Sequence, residues 1–227
     1  MAFSKEALQQ SLLVYAITDR NWLPVAPNAT EEQKRAAICQ QVQQAIEGGA
    51  SFIQMREKNL SDWDMVDEAD AIRAICNKAG VPFVVNDAVA IAVASKADGA
   101  HIGQDDMDVV TARAIIGRDK ILGVSVQTVE QAKRAEAQGA SYLGVGAVFP
   151  TGSKDDAEQV SHETLAEICA AVSIPVVAIG GITCENIAQL QNTGIAGAAV
   201  ISAIFAQENI AEAAGNLRNA ASAALIR

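Results

Sequence analysis

Eight short runs rich in Val and Ile recur along the chain, apolar throughout rather than alternating. They are 12–18 (LLVYAIT), 51–55 (SFIQM), 82–86 (PFVVN), 99–103 (GAHIG), 121–125 (ILGVS), 142–146 (YLGVG), 175–180 (PVVAIG) and 197–202 (GAAVIS). Strands buried on both faces read this way when they are parallel and covered by helices. Helical patterns lie between the runs. One begins at Glu31 and stops at the pair Gly48-Gly49, one follows Ser61 as N-cap and ends near Gly80, and one follows Gln127. Eight strand–helix units in 227 residues suit an α/β (β/α)8 TIM barrel, a fold that typically takes about 250 residues. An open doubly wound sheet is the alternative. It is weakened because no G-x-G-x-x-G follows the first run. No Pro/Ser-rich linker or charge block interrupts the pattern, so residues 1–227 are expected to form one domain. The long non-periodic piece is 19–30, with Pro24 and Pro27.

Composition narrows the function. Half the residues are hydrophobic and 19% are charged, which excludes disorder. The net charge of −10 argues against nucleic acid or an anionic membrane as partner, so any cationic site must be local. Cys39, Cys76, Cys169 and Cys184 are scattered without C-x-x-C spacing, as expected of reduced, mostly buried thiols in a cytoplasmic protein. The start, MAFSKEALQQSLL, has no basic segment followed by a long apolar one, so no signal peptide is expected. No apolar run approaches the roughly 18 residues of a membrane helix.

In a barrel the chemistry gathers where strands end and βα loops begin. Run two closes with QMREK, which sets Gln54, Arg56 and Lys58 at alternate positions and aims them one way. Thr18 and Asp19 follow run one, Asn86 and Asp87 run three, and His101, Gln104, Asp105 and Asp106 run four. Ser125 follows run five, Thr151, Ser153 and Lys154 run six, Gly180 and Gly181 run seven, and Ser202 run eight. Any single member reads as a solvated turn or a helix cap. Together they read as a site. Asp87 and Asp106 end neighbouring strands and supply hard oxygen donors of the kind Mg²⁺ takes. Taken alone, the two acids fit a loop salt bridge equally well. Beside Arg56, Lys58 and Lys154 they describe a pyrophosphate site. The stretches 179–182 and 199–202 suggest a second anion site built from backbone N–H groups. His101 is expected to line the barrel rather than act as a general base, and His162 to open a helix at the surface. Trp22 is expected to help a loop cover the site, and Trp63 to pack.

These residues resemble the thiamine-phosphate synthase (thiamine-phosphate pyrophosphorylase) family. The resemblance runs through VYAITD, GGASFIQMREK, VVND, GAHIGQDD, ILGVS, YLGVGAVFPTGSK, PVVAIGGIT and VISAI, in family order to about Phe205. It implies a TIM barrel that joins hydroxymethylpyrimidine pyrophosphate to a thiazole phosphate, with Mg²⁺, releasing pyrophosphate. By the resemblance, Gln54, Arg56, Lys58, Asn86, Ser125 and Lys154 bind the pyrimidine pyrophosphate, with Met55 and Glu57 in the same substrate-binding stretch. Arg56, Lys58, Ser125 and Lys154 carry the chemistry. Asp87 and Asp106 hold the metal, and Thr151, Gly152, Ser153, Gly181, Ile201 and Ser202 form the thiazole-phosphate pocket. The implied mechanism is dissociative, which accounts for the lack of an obvious nucleophile or base. The partners implied are small molecules, with a homo-oligomer as a further possibility. Ala88 departs from the family, which commonly carries Arg after Asn-Asp, and 152–156 is a variable stretch. Two rivals are a thiazole tautomerase-like barrel, which has no use for the full pyrophosphate grip, and a non-catalytic sensor of thiamine intermediates.

Overall fold

The computed structural model describes residues 4–151 and 159–225. The eight runs form parallel strands: β1 (Val14–Ile17), β2 (Phe52–Met55), β3 (Phe83–Asn86), β4 (Gly99–Ile102), β5 (Ile121–Val126), β6 (Tyr142–Val145), β7 (Val176–Ile179) and β8 (Gly197–Val200). They pair in chain order, and β8 returns to β1 with Ala198 level with Val14, closing the barrel. The open doubly wound sheet is thereby excluded.

The helices are α1 (Lys5–Ser11), α2 (Glu31–Gly48), α3 (Asp62–Ala79), α4 (Val89–Ala94), α5 (Val109–Ile116), α6 (Val129–Ala137), α7 (His162–Ala171), α8 (Ser202–Phe205) and α9 (Ile210–Leu225). Local chemistry sets their ends. Thr30 and Gln33 form a capping box at the start of α2, and Gly49 ends it at φ 111°. Ser61 caps α3 through the Asp64 N–H, and Gly80 ends it at φ 69°. Two features differ from expectation. The crossover from β7 to β8 carries only a 3-10 turn, Ile187–Leu190, because the turns at Gly180-Gly181 and Asn192–Gly194 consume the segment. The N-terminal residues form α1, and its Leu8, with Leu12 just after it, packs against the inward residues of the barrel.

Alternation along each strand divides the core. Outward residues such as Ile53, Met55, Val85 and Leu143 pack under the helices. Inward residues Tyr15, Phe52, Val84, Tyr142 and Val177 fill the barrel with Leu8 and Leu12. Tyr15, Phe52 and Tyr142 meet as an aromatic trio with ring centroids 4.5 to 5.9 Å apart. Each such ring contributes about 1.5–3 kcal/mol through burial alone. Trp63, expected to pack, is 83% exposed on the first turn of α3. All four thiols are free; three are at least partly buried, while Cys184 is exposed.

Candidate active site

The strands all point their C-terminal ends to one rim, and the loops there carry the polar groups. At β1 and β2 the ladder continues past the strands. The Thr18 N–H donates to the Gln54 carbonyl (2.9 Å), and the Arg56 N–H donates to Thr18 Oγ1 (3.0 Å). This fixes Arg56 beyond the end of β2, with its side chain 17% exposed and Nη1 4.0 Å from Asp19 Oδ2. Lys58 is exposed in the following turn. β2 stops at Met55, so the three groups of QMREK do not all stand on a strand; only Gln54 does.

Met55 and Glu57 were expected in the substrate-binding stretch. Both fall on the helix-facing side of the Gln54–Lys58 stretch. Met55 is fully buried in the outer core. The Glu57 side chain is 2% exposed and pairs with Arg20 Nε at 2.6 Å. Arg20 also binds Glu31 at 2.6 Å and Glu68, and Lys34 meets Glu31 at 2.7 Å. Three carboxylates thus surround two cations. Burial, with the Glu68 carboxylate beside it, pushes Glu57 up to about 8 against the pull of Arg20, and burial raises Glu68 as well. Glu57 Oε1 and Glu68 Oε1 are both buried without a hydrogen-bond partner among the described residues. This cluster ties the β1 and β2 loops to α2 and α3.

At β3 and β4, Asp87 adopts φ 58°, a left-handed conformation that Asp tolerates better than most residues. Its N–H donates to the His101 carbonyl at 2.7 Å, tying the two loops together. Asp106 turns back so that Oδ2 accepts from the Gly103 N–H at 2.7 Å. The pair supplies oxygen donors only, and no group of three or more His, Cys, Asp or Glu that could hold a metal ion occurs among the described residues. Carboxylate oxygens are the hard donors that suit Mg²⁺, which keeps waters and takes phosphate oxygens. Asn86 ends β3 half-buried on the inward side. Ala88 sits at the N-cap of α4 without a side-chain cap and packs against the outer core. An apolar contact therefore stands where the family commonly has a charge.

His101, 8% exposed, faces inward as expected. Its Nε2 lies 2.9 Å from Ser125 Oγ and its Nδ1 2.9 Å from Tyr142 Oη. Gln104 Nε2 donates to the Ser125 carbonyl at 2.7 Å, and Arg134 Nη2 donates to Gln104 Oε1 at 3.2 Å.

The opposite side of the mouth is built from backbone. After β6 the chain lies along the end of β7, with Val148 N–H on the Ile179 carbonyl and Phe149 N–H on Gly180 (3.0 and 3.1 Å). This brings the loop that leads to Thr151 over Gly181. A Cβ at Gly181 would stand 2.4 Å from the Pro150 carbonyl, and φ is 63°, so only glycine fits. Asn186 Nδ2 clamps the Gly181 carbonyl at 2.8 Å. Ile201 and Ser202 follow β8 at once and open the four-residue α8, whose first N–H groups have no intrahelical acceptor. Gly152, Ser153 and Lys154 lie outside the described residues.

The sequence reading overlooked Tyr15, Tyr142 and Arg20. The signal for the tyrosines was present, since they are the only two in the chain and each puts a hydroxyl into an apolar run. Arg20 gave none, because its partners lie 11 to 48 residues away.

The chain matches the family model described as thiamine monophosphate synthase over residues 22–204. It is 51% identical over 176 residues to a thiamine-phosphate synthase of Ruminiclostridium cellulolyticum, covering 78% of this chain and 84% of the relative. It is 46% identical over 204 residues to one from Clostridium tetani, covering 90% and 93%. The structure resembles a thiamine phosphate pyrophosphorylase from Pyrococcus furiosus with a TM-score of 0.84 at 38% identity, covering 96% of this chain and 99% of that one. A closed barrel with its polar groups at one rim, matched in sequence over most of its length, leads to one conclusion: the chain belongs to the thiamine monophosphate synthase family, and its activity is the transferase reaction of thiamine-phosphate synthase.

Proposed function

We propose that the mouth of the barrel catalyses a dissociative substitution, in which a bound pyrimidine pyrophosphate loses its pyrophosphate before a thiazole phosphate nitrogen attacks. The observation that carries this reading is the asymmetry between two neighbouring arginines. Arg20 is saturated by Glu31, Glu57 and Glu68. Arg56 is fixed through its backbone, with only Asp19 at 4.0 Å as a carboxylate partner among the described residues. Its guanidinium therefore retains donors for a ligand anion. Lys58, and Lys154 by the family resemblance, add charge to the same leaving group. Asp87 and Asp106 would hold Mg²⁺, which supplies charge neutralisation to the pyrophosphate oxygens. Gln54, Asn86 and Ser125 orient the pyrimidine. Thr151, Gly181, Ile201 and Ser202, with Gly152 and Ser153, receive the thiazole phosphate, mainly through backbone N–H groups. No nucleophile or general base is needed, because alignment of two substrates and stabilisation of developing charge supply the acceleration.

The test is pyrophosphate release and thiamine phosphate formation by purified protein with both substrates and Mg²⁺. Chelation should abolish turnover, and Asp87→Ala should lower kcat by about 10²–10³. Wild-type protein that binds one substrate yet forms no thiamine phosphate would overturn this reading in favour of the tautomerase or sensor.

A further inference from the structure

Five polar side chains cross the barrel interior in one unbroken series of hydrogen bonds. Gln54 Nε2 donates to Tyr15 Oη (2.5 Å), Tyr15 Oη meets Tyr142 Oη (2.7 Å), Tyr142 Oη meets His101 Nδ1 (2.9 Å), and His101 Nε2 meets Ser125 Oγ (2.9 Å). The two ends are residues at the mouth; the three in the middle lie below it.

The donors decide the direction of the series. The Gln54 amide nitrogen offers no lone pair, so Tyr15 accepts from it. The Tyr15 proton then goes to Tyr142, and the Tyr142 proton to His101 Nδ1. Nδ1 must be bare, so the ring proton sits on Nε2 and donates to Ser125 Oγ. The Ser125 hydroxyl proton is left to point away from the chain. Burial holds both phenols well above the ordinary tyrosine range, so both keep the protons this scheme requires. The opposite direction would spend the Ser125 proton on His101 and aim the Tyr15 proton at an amide nitrogen.

The barrel is hollowed to hold the series. A Cβ at Gly123 would stand 2.3 Å from His101 Nδ1 and 2.4 Å from Tyr142 Oη, and one at Gly144 would stand 3.2 Å from His101 Cε1. Apolar side chains would fill a barrel without leaving any buried polar group to satisfy.

We propose that Tyr15, Tyr142 and His101 are positioning residues that fix the proton direction of this chain and so present Ser125 to the pyrimidine substrate as a hydrogen-bond donor. The inference rests on the reading of Gln54 and Ser125 as substrate ligands.

Two measurements test it. The first is the ¹⁵N spectrum of histidine-labelled wild-type protein, which has only His101 and His162, assigned with His101→Gln. The expected result is a neutral His101 with its proton on Nε2; a proton on Nδ1 overturns the proposal. The second is a kinetic cycle. Tyr142→Phe should lower kcat by about tenfold while leaving KM for the thiazole phosphate unchanged. Combined with Ser125→Ala, it should add little to the loss from Ser125→Ala alone, because it acts through that hydroxyl. Fully additive losses mean a merely structural role and overturn the proposal. Tyr15→Phe serves as a second variant should Tyr142→Phe fold poorly. His101→Gln, which keeps an amide donor toward Ser125, should recover most of what His101→Ala loses. Wild-type turnover is measured first. Its absence overturns the functional reading alone, and the tautomer spectrum still decides the proton direction.

Discussion

Two buried polar networks lie within the same barrel and solve the same problem in opposite ways. The one inside, from Gln54 to Ser125, is neutral, and every link has a donor and an acceptor. The one outside, around Arg20, is ionic, with Glu31, Glu57 and Glu68 facing Arg20 and Lys34. A neutral series loses little by desolvation and holds direction, because each proton has one place to go. An ionic cluster holds loops together strongly, but its balance depends on who carries protons. The inner network is therefore suited to orienting a substrate, and the outer one to anchoring the loops that carry Arg56 and Lys58.

The largest effect should come from Arg20→Ala, which leaves Glu57 and Glu68 buried without their cation. Thermal or urea unfolding at neutral pH should show a loss of about 3–5 kcal/mol. A loss below about 1 kcal/mol would mean that the cluster does not hold the loops. Tyr15→Phe removes one hydroxyl from the middle of the inner series and leaves the Gln54 amide without its acceptor. It should cost about 1–3 kcal/mol by the same measurement.

The third expected effect is a difference in pH response. Glu57 is raised from 4.5 to about 8 by burial, with Glu68 beside it. Over that interval the unfolded chain has released this proton while the folded chain still holds it. Stability from this group is therefore full below about pH 4.5 and declines as pH rises toward 8. Urea midpoints at several pH values should fall across the window in wild type, and Glu57→Gln should flatten the slope. A wild-type slope that persists in Glu57→Gln assigns the titration to another group. The smallest effect is the control: Trp63→Ala, at a side chain 83% exposed, should change stability by no more than about 0.5 kcal/mol.

Much of the fold was legible because it is local. All eight strands lie where apolar runs predicted them, apart from one extra residue, Val126, at the end of β5. The helices that were read from their caps begin and end at those caps. The rim was legible too, since strand ends place Gln54, Asn86, Ser125 and Gly181 without any knowledge of their neighbours. Where Met55 and Glu57 point was not legible, because a contiguous stretch of sequence is split between two faces by the pleat. Their side chains went to the helix layer, one into apolar packing and one to Arg20.

Period, capping and turn chemistry act over a few residues, so the amino-acid order alone specified a parallel barrel with its polar groups gathered at one rim. Which polar groups meet inside it depended on closure. Tyr15 and Tyr142 are separated by 127 residues and touch only because β1 and β6 face each other across the barrel. Arg20 and Glu68 are 48 residues apart and touch only because the β1 loop folds down beside α3. Hydrogen bonds and ion pairs act over about 3–4 Å, and such contacts exist only once the ring of strands has closed.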